Sequence, residues 1–111
     1  MEKARADQLQ NTIDLLILKT LAVRGPLHGY AIVNRIQQVS EEELRVEEGS
    51  LYPALHRIES EGWVASEWKI SATNRRVKLY HITAAGRKQL EREQESWARL
   101  SRAIGKVLRF A

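Results

Sequence analysis

The chain has 111 residues, 43% hydrophobic and 29% charged, with 18 Lys and Arg against 14 Asp and Glu for a formal charge of +4. That length fits one compact domain, and the composition is that of an ordinary soluble protein. There is no cysteine, which excludes disulfides, thiolate zinc sites and cysteine nucleophiles, while the basic balance favours a polyanionic partner.

Met1 to Gln10 is polar and charged, unlike a signal peptide. The longest apolar run, Leu15-Leu16-Ile17-Leu18, is far shorter than the roughly 20 residues that span a bilayer. A cytoplasmic protein is expected. Apolar residues at Leu9, Ile13, Leu16, Ile17 and Leu21 have helical spacing, so a first helix is predicted from Leu9 to Val23. Arg24-Gly25-Pro26 ends it. A second helix is expected from about His28 to Val39, with Ile32, Val33, Ile36 and Val39 facing inward. The acidic stretch Ser40 to Glu43 reads as a connector.

Ser50 is the expected N-cap of a third helix, its hydroxyl accepting a bond from a first-turn amide. Pro53 then falls near the start, where a missing N–H costs little. Leu51, Leu55 and Ile58 form one inward stripe, and Gly62 is placed as a left-handed C-terminal stop. The period then shortens. Val64, Trp68 and Ile70 alternate with Ala65, Glu67 and Lys69, and Val77 and Leu79 alternate with Arg76, Lys78 and Tyr80, which predicts two strands. Ser71-Ala72-Thr73-Asn74 between them is a polar hairpin tip. Thr83 is a suitable cap for a last helix from about Ala84 to Arg109, roughly 39 Å long at about 1.5 Å per residue.

Three helices, a hairpin and a long helix make a mainly α protein with a small β-hairpin (α+β), the plan of a winged helix-turn-helix. Residues 1–83 are expected to form that unit and residues 84–111 a dimerisation helix, the whole packing as one body.

A helix that reads DNA needs an apolar face for anchorage and a polar face for bases and phosphates. Opposite its core stripe the third helix offers Ser50, Tyr52, His56 and Arg57. The hairpin carries Lys69, Asn74, Arg75, Arg76 and Lys78, with no acidic residue between Ile70 and Ile82. Such clustering suits a wing laid on a phosphate backbone or in a minor groove. In the last helix Leu90, Trp97, Leu100, Ile104, Val107 and Leu108 make a stripe with heptad-like spacing. Monomers rarely tolerate such an apolar patch, so a two-fold dimer is expected to bury it, with Leu9 and Ile13 completing the interface. Two reader helices would then meet successive major grooves about 34 Å apart.

Enzyme chemistry has no foothold in this pattern. His28, His56 and His81 fall on different elements, so no metal site is expected. Ser50 lacks the surroundings of an activated nucleophile, and no phosphate-cradling glycine loop or other cofactor motif occurs. The alternative to DNA binding is a winged-helix protein-interaction module that does not read DNA.

Several runs carry a family resemblance: Leu15-Leu16-Ile17-Leu18 with Leu21, His28-Gly29-Tyr30-Ala31-Ile32, Gly49-Ser50-Leu51-Tyr52-Pro53-Ala54-Leu55-His56-Arg57-Ile58-Glu59, Gly62-Trp63-Val64, Arg75-Arg76 through Tyr80, Ile82-Thr83 and Gly86-Arg87. With these the chain resembles PadR-family transcriptional regulators of the short branch. The resemblance implies a winged-helix dimer, joined by the last helix, that represses promoters carrying an inverted repeat. It adds His28 and Gly29 as weaker phosphate-contact candidates. It also implies a small hydrophobic or phenolic effector near the dimer interface. Trp97 is the candidate to stack on it, although a large core residue of the seam is the preferred reading of Trp97. Two departures are visible: Asn74 where many relatives have a wing-tip glycine, and Leu79-Tyr80 in place of two adjacent aromatics.

Overall fold

The computed structural model describes residues 2–111, and the side chains of residues 12–111. The order is α1 (Glu2–Arg24), β1 (Leu27–His28), α2 (Gly29–Val39), α3 (Glu48–Ser60), β2 (Val64–Ile70), β3 (Arg76–Ile82) and α4 (Ala84–Phe110). All three strands form one antiparallel sheet in the order β1-β3-β2. The expected α+β winged-helix plan is thus present, with one element more. At two residues, β1 is too short for alternation to reveal. It exists because Leu27 and His28 run alongside Tyr80 and Leu79.

One core joins every layer. Ile17, Leu18 and Leu21 of α1, Ile32 and Ile36 of α2, Leu51, Leu55 and Ile58 of α3, Val64, Tyr80 and Ile82 of the hairpin and Leu90 of α4 are all buried. Burying one such aliphatic side chain contributes about 1.5–3 kcal/mol, so three helices and a hairpin hold each other without help from α4's far end.

Four local expectations are corrected. The N-cap of α3 is Glu47, not Ser50: Glu47 has extended backbone, and its carbonyl accepts the N–H groups of Ser50 and Leu51. Ser50 therefore sits inside the first turn. Val39 does not face inward but is 62% exposed, because α2 turns only Ile32, Ile36 and part of Val33 to the core. In β3 the buried residues are Tyr80 and Ile82 rather than Val77 and Leu79, since Val64 opposite Ile82 and Ser66 opposite Tyr80 fix which face meets α3. Leu90 belongs to this core and not to a seam between copies.

The ends of α3 and α4 set where the wing starts. At Gly62 (φ 79°) α3 stops in a left-handed turn. Gly62 N–H bonds the Glu59 carbonyl and Trp63 N–H bonds the Ile58 carbonyl, both at 3.0 Å. These two bonds satisfy last-turn carbonyls and start β2 at once. Thr83 caps α4 by accepting Gly86 N–H at 3.0 Å, and its hydroxyl donates to the Gly62 carbonyl. At the hairpin tip Asn74 takes a left-handed φ of 61°, which Asn tolerates better than most residues. It fills the conformational place of the missing glycine.

Candidate nucleic-acid interface

α3 turns Leu51, Ala54, Leu55 and Ile58 to the core and leaves Ser50, Tyr52 and His56 exposed. Glu59 fixes the hairpin beside this helix: it accepts a hydrogen bond from the Ser66 hydroxyl and pairs with Lys78 Nζ at 3.7 Å. Helix and wing are therefore tied together through this one side chain.

Farther out, the Arg76 guanidinium lies 4.8 Å from the centroid of the exposed Trp68 ring. Such cation–π contact is worth about 0.5–1 kcal/mol at an exposed site, and it orders the arginine without removing its charge. Arg75, Arg76, Lys69 and Asn74 are all exposed. Lys69 approaches Glu67 at 3.6 Å, but both are more than half exposed, so water and salt leave its charge available.

Three candidates are placed differently from expectation. Arg57 turns away from the open face, and its guanidinium donates to the carboxylate of buried Asp14 on α1 at 2.5 Å; it braces α3 instead of reaching bases. Lys78 is half-buried against Glu59, with its ammonium 5.5 Å from the Tyr80 ring centroid. It joins wing to helix. Gly29 is buried beneath Tyr52, so close that a Cβ there would stand 2.9 Å from the tyrosine hydroxyl, and it presents no surface to a phosphate. His28 accepts Ala31 N–H on Nδ1 at 3.3 Å, which makes it the N-cap of α2. In the neutral ring the proton then sits on Nε2, a donor with no hydrogen-bond partner among the described residues.

At the junction of α1, α3 and α4 the carboxyls of Asp14 and Glu93 lie close to Arg57. Burial pushes Asp14 upward, against the pull of Arg57's hydrogen bond and charge. Burial also raises Glu93; a hydrogen bond from Gln89 opposes this, and the nearby Asp14 adds to it. Among the described residues Glu93 Oε2 is buried without a hydrogen-bond partner. Native carboxyls held above their ordinary values bind protons more tightly than the unfolded chain does. Their stabilising contribution is complete below the unfolded value and is lost as pH rises through the raised one. Glu93→Gln is accordingly expected to raise stability at neutral pH and to flatten the loss of stability above the ordinary carboxylate range. Urea unfolding at several pH values checks both; an unchanged pH profile would acquit Glu93.

The long apolar stripe of α4 is open in the single chain. Trp97 is 52% and Ile104 48% exposed, and Leu100, Val107 and Leu108 are exposed too. Ile13 is half-buried against its own core. The Leu9 side chain lies outside the described residues.

Trp68, Glu59 and Asp14 were not singled out from sequence. Counting back from the Ser71–Arg75 tip would have paired Trp68 with Lys78. Nothing local marks Glu59 or Asp14, because their partners come from elsewhere in the chain.

Residues 17–92 match the Transcriptional regulator PadR-like family. The chain is 45% identical over 91 residues to an uncharacterized 37.1 kDa protein in transposon TN4556 of Streptomyces fradiae, covering 82% of this chain and 24% of that one. It is 35% identical over 68 residues to the transcriptional regulator Rv3488 of Mycobacterium tuberculosis, covering 61% of this chain and 63% of that one. The chain thus spans about a quarter of the first relative's length and under two thirds of the second's. A solved transcriptional regulator from Clostridium thermocellum superposes with a TM-score of 0.81 at 30% identity, covering 90% of this chain and 96% of that one. The family match, the Mycobacterium tuberculosis relative and the Clostridium thermocellum structure are all of transcriptional regulators.

Proposed function

The chain belongs to the transcriptional regulator PadR-like family, and from that premise we propose that it is a repressor that occludes promoters by binding an inverted-repeat operator as a homodimer. The observation that carries this reading is an exposed polar face on α3 with a basic hairpin clamped beside it through Glu59. Ser50, Tyr52 and His56 are assigned to the major groove. Lys69, Asn74, Arg75 and Arg76 are assigned to the backbone and minor groove beside it, and the Nε2 proton of His28 to a phosphate. Residues 1–83 form the reading unit and the rest of α4 the arm that joins two copies. Trp97, Leu100, Ile104, Val107 and Leu108 line the proposed seam, Leu9 and Ile13 flank it, and Trp97 is where a small hydrophobic or phenolic effector would stack. The site of action is the cytoplasm.

A phosphate contact releases counterions, so affinity must fall steeply with salt. Arg76→Ala should weaken binding to all duplexes about equally and lower the log–log salt slope by about 1. Fluorescence anisotropy with operator and unrelated duplexes across a salt series measures both. An affinity indifferent to salt, or no binding at low salt, would instead favour a protein-interaction module.

A further inference from the structure

A groove of about 380 Å³ runs between the C-terminal half of α1 and α2, partly roofed by the connector to α3. That volume lies within the usual range for small-molecule sites, about 300–1,000 Å³. Its apolar wall includes Val23, Val39 and Leu44, all three exposed to solvent. This is where Val39 points instead of into the core. Leu44 is held in place by a hydrogen bond from its N–H to the Ser40 hydroxyl at 3.0 Å. The neighbouring Glu41 and Glu42 both adopt left-handed backbone, with φ of 53° and 71°, a conformation costly for such residues.

Three cations, Lys19, Arg24 and Arg35, also line the groove, and among the described residues no carboxylate does. None of the three forms an ion pair among the described residues; Arg35 bonds only the neutral Gln38 side chain, at 3.4 Å. Apolar walls with unpaired positive charge and no negative charge are complementary to one kind of ligand: an apolar body carrying a single anionic head. We propose that this groove is a binding site for a small amphipathic carboxylate of the acyl type. The site is separate from the α4 stripe, and the inference does not depend on DNA binding. A ligand seated there touches α2, whose N-terminus lies under Tyr52 of α3.

Isothermal titration of the full chain with decanoate, and with decanol as its uncharged counterpart, tests this. Decanoate is expected to bind one molecule per chain, at least ten-fold more tightly than decanol. Arg35→Glu should weaken decanoate at least ten-fold while leaving decanol unchanged. Val39→Glu should abolish decanoate binding; Val39 is exposed, so the fold survives, and thermal melting verifies it. Equal affinity for the two probes, absence of decanoate binding, or binding that survives Val39→Glu would overturn the proposal. Loss with Trp97→Asp but not with Val39→Glu would place the ligand on the α4 stripe and overturn it equally.

Discussion

Trp97→Asp is expected to leave the chain folded, to halve its mass in solution and to weaken its hold on an inverted-repeat duplex at least 100-fold. Trp97, Leu100, Ile104 and Val107 recur at intervals of three and four along α4, which puts them on one face. In the single chain these side chains are exposed and none is part of the buried core. In the proposed dimer a second copy supplies the cover. Aspartate at the centre of that seam would be an unpaired charge taken out of water, a cost of several kcal/mol. The DNA effect follows by a different route. Two linked reading units gain about 10²–10⁴ in avidity over one, and that gain disappears when the link breaks. Core packing does not involve Trp97, so the melting of the reading unit should barely change. Light scattering and anisotropy on the same sample report the two losses together; an unchanged mass would locate the seam elsewhere.

Gly86→Ala is expected to be the most destabilising single methyl in the molecule. Gly86 lies in the first turn of α4, where the helix crosses the start of β2. A Cβ there would stand 2.0 Å from the Trp63 carbonyl oxygen and 2.8 Å from Ile82 Cγ1. The first is backbone, already fixed by the bond it accepts from Thr83 N–H at 3.0 Å, so no side-chain rotation relieves the clash. Overpacking typically costs about 1–3 kcal/mol and sometimes more. With backbone as the obstacle, a loss of about 3 kcal/mol or greater is expected, lowering the melting temperature by roughly 10 °C or more. The substitution also forces α4 away from the wing base and so misaims the arm. Calorimetry of the variant checks the size of the effect. A shift of a degree or two would mean that α4 docks less tightly than described.

Period and caps made much of this architecture readable before any coordinates. Thr83 and Gly62 were legible because a cap and a left-handed stop depend on neighbours within a few residues. The long apolar stripe of α4 was legible for the same reason. Ser50 misled because a good capping residue stood two positions inside the true start, where the Glu47 carbonyl closes the first turn. Leu90 misled because a heptad count cannot tell its own core from a partner's. Arg57 was read as an outward cation, and only the fold brings Asp14, 43 residues earlier, against it. The strand phase in β3 escaped alternation because Val77, Leu79, Tyr80 and Ile82 are apolar on both faces, and pairing with β2 decides between them. Ser50 apart, the misplaced residues were those whose role depends on contacts distant in sequence.

The account turns on two copies of α3 being held by the α4 stripe so that both enter one side of a duplex. Selection of bound duplexes from a random pool, with protein stoichiometry measured on the winners, tests this most directly. The expected result is an inverted repeat whose half-site centres lie about one helical turn, roughly 10 bp, or a multiple of it apart, occupied by two chains. Enriched single half-sites without symmetry, each holding one chain, would contradict it.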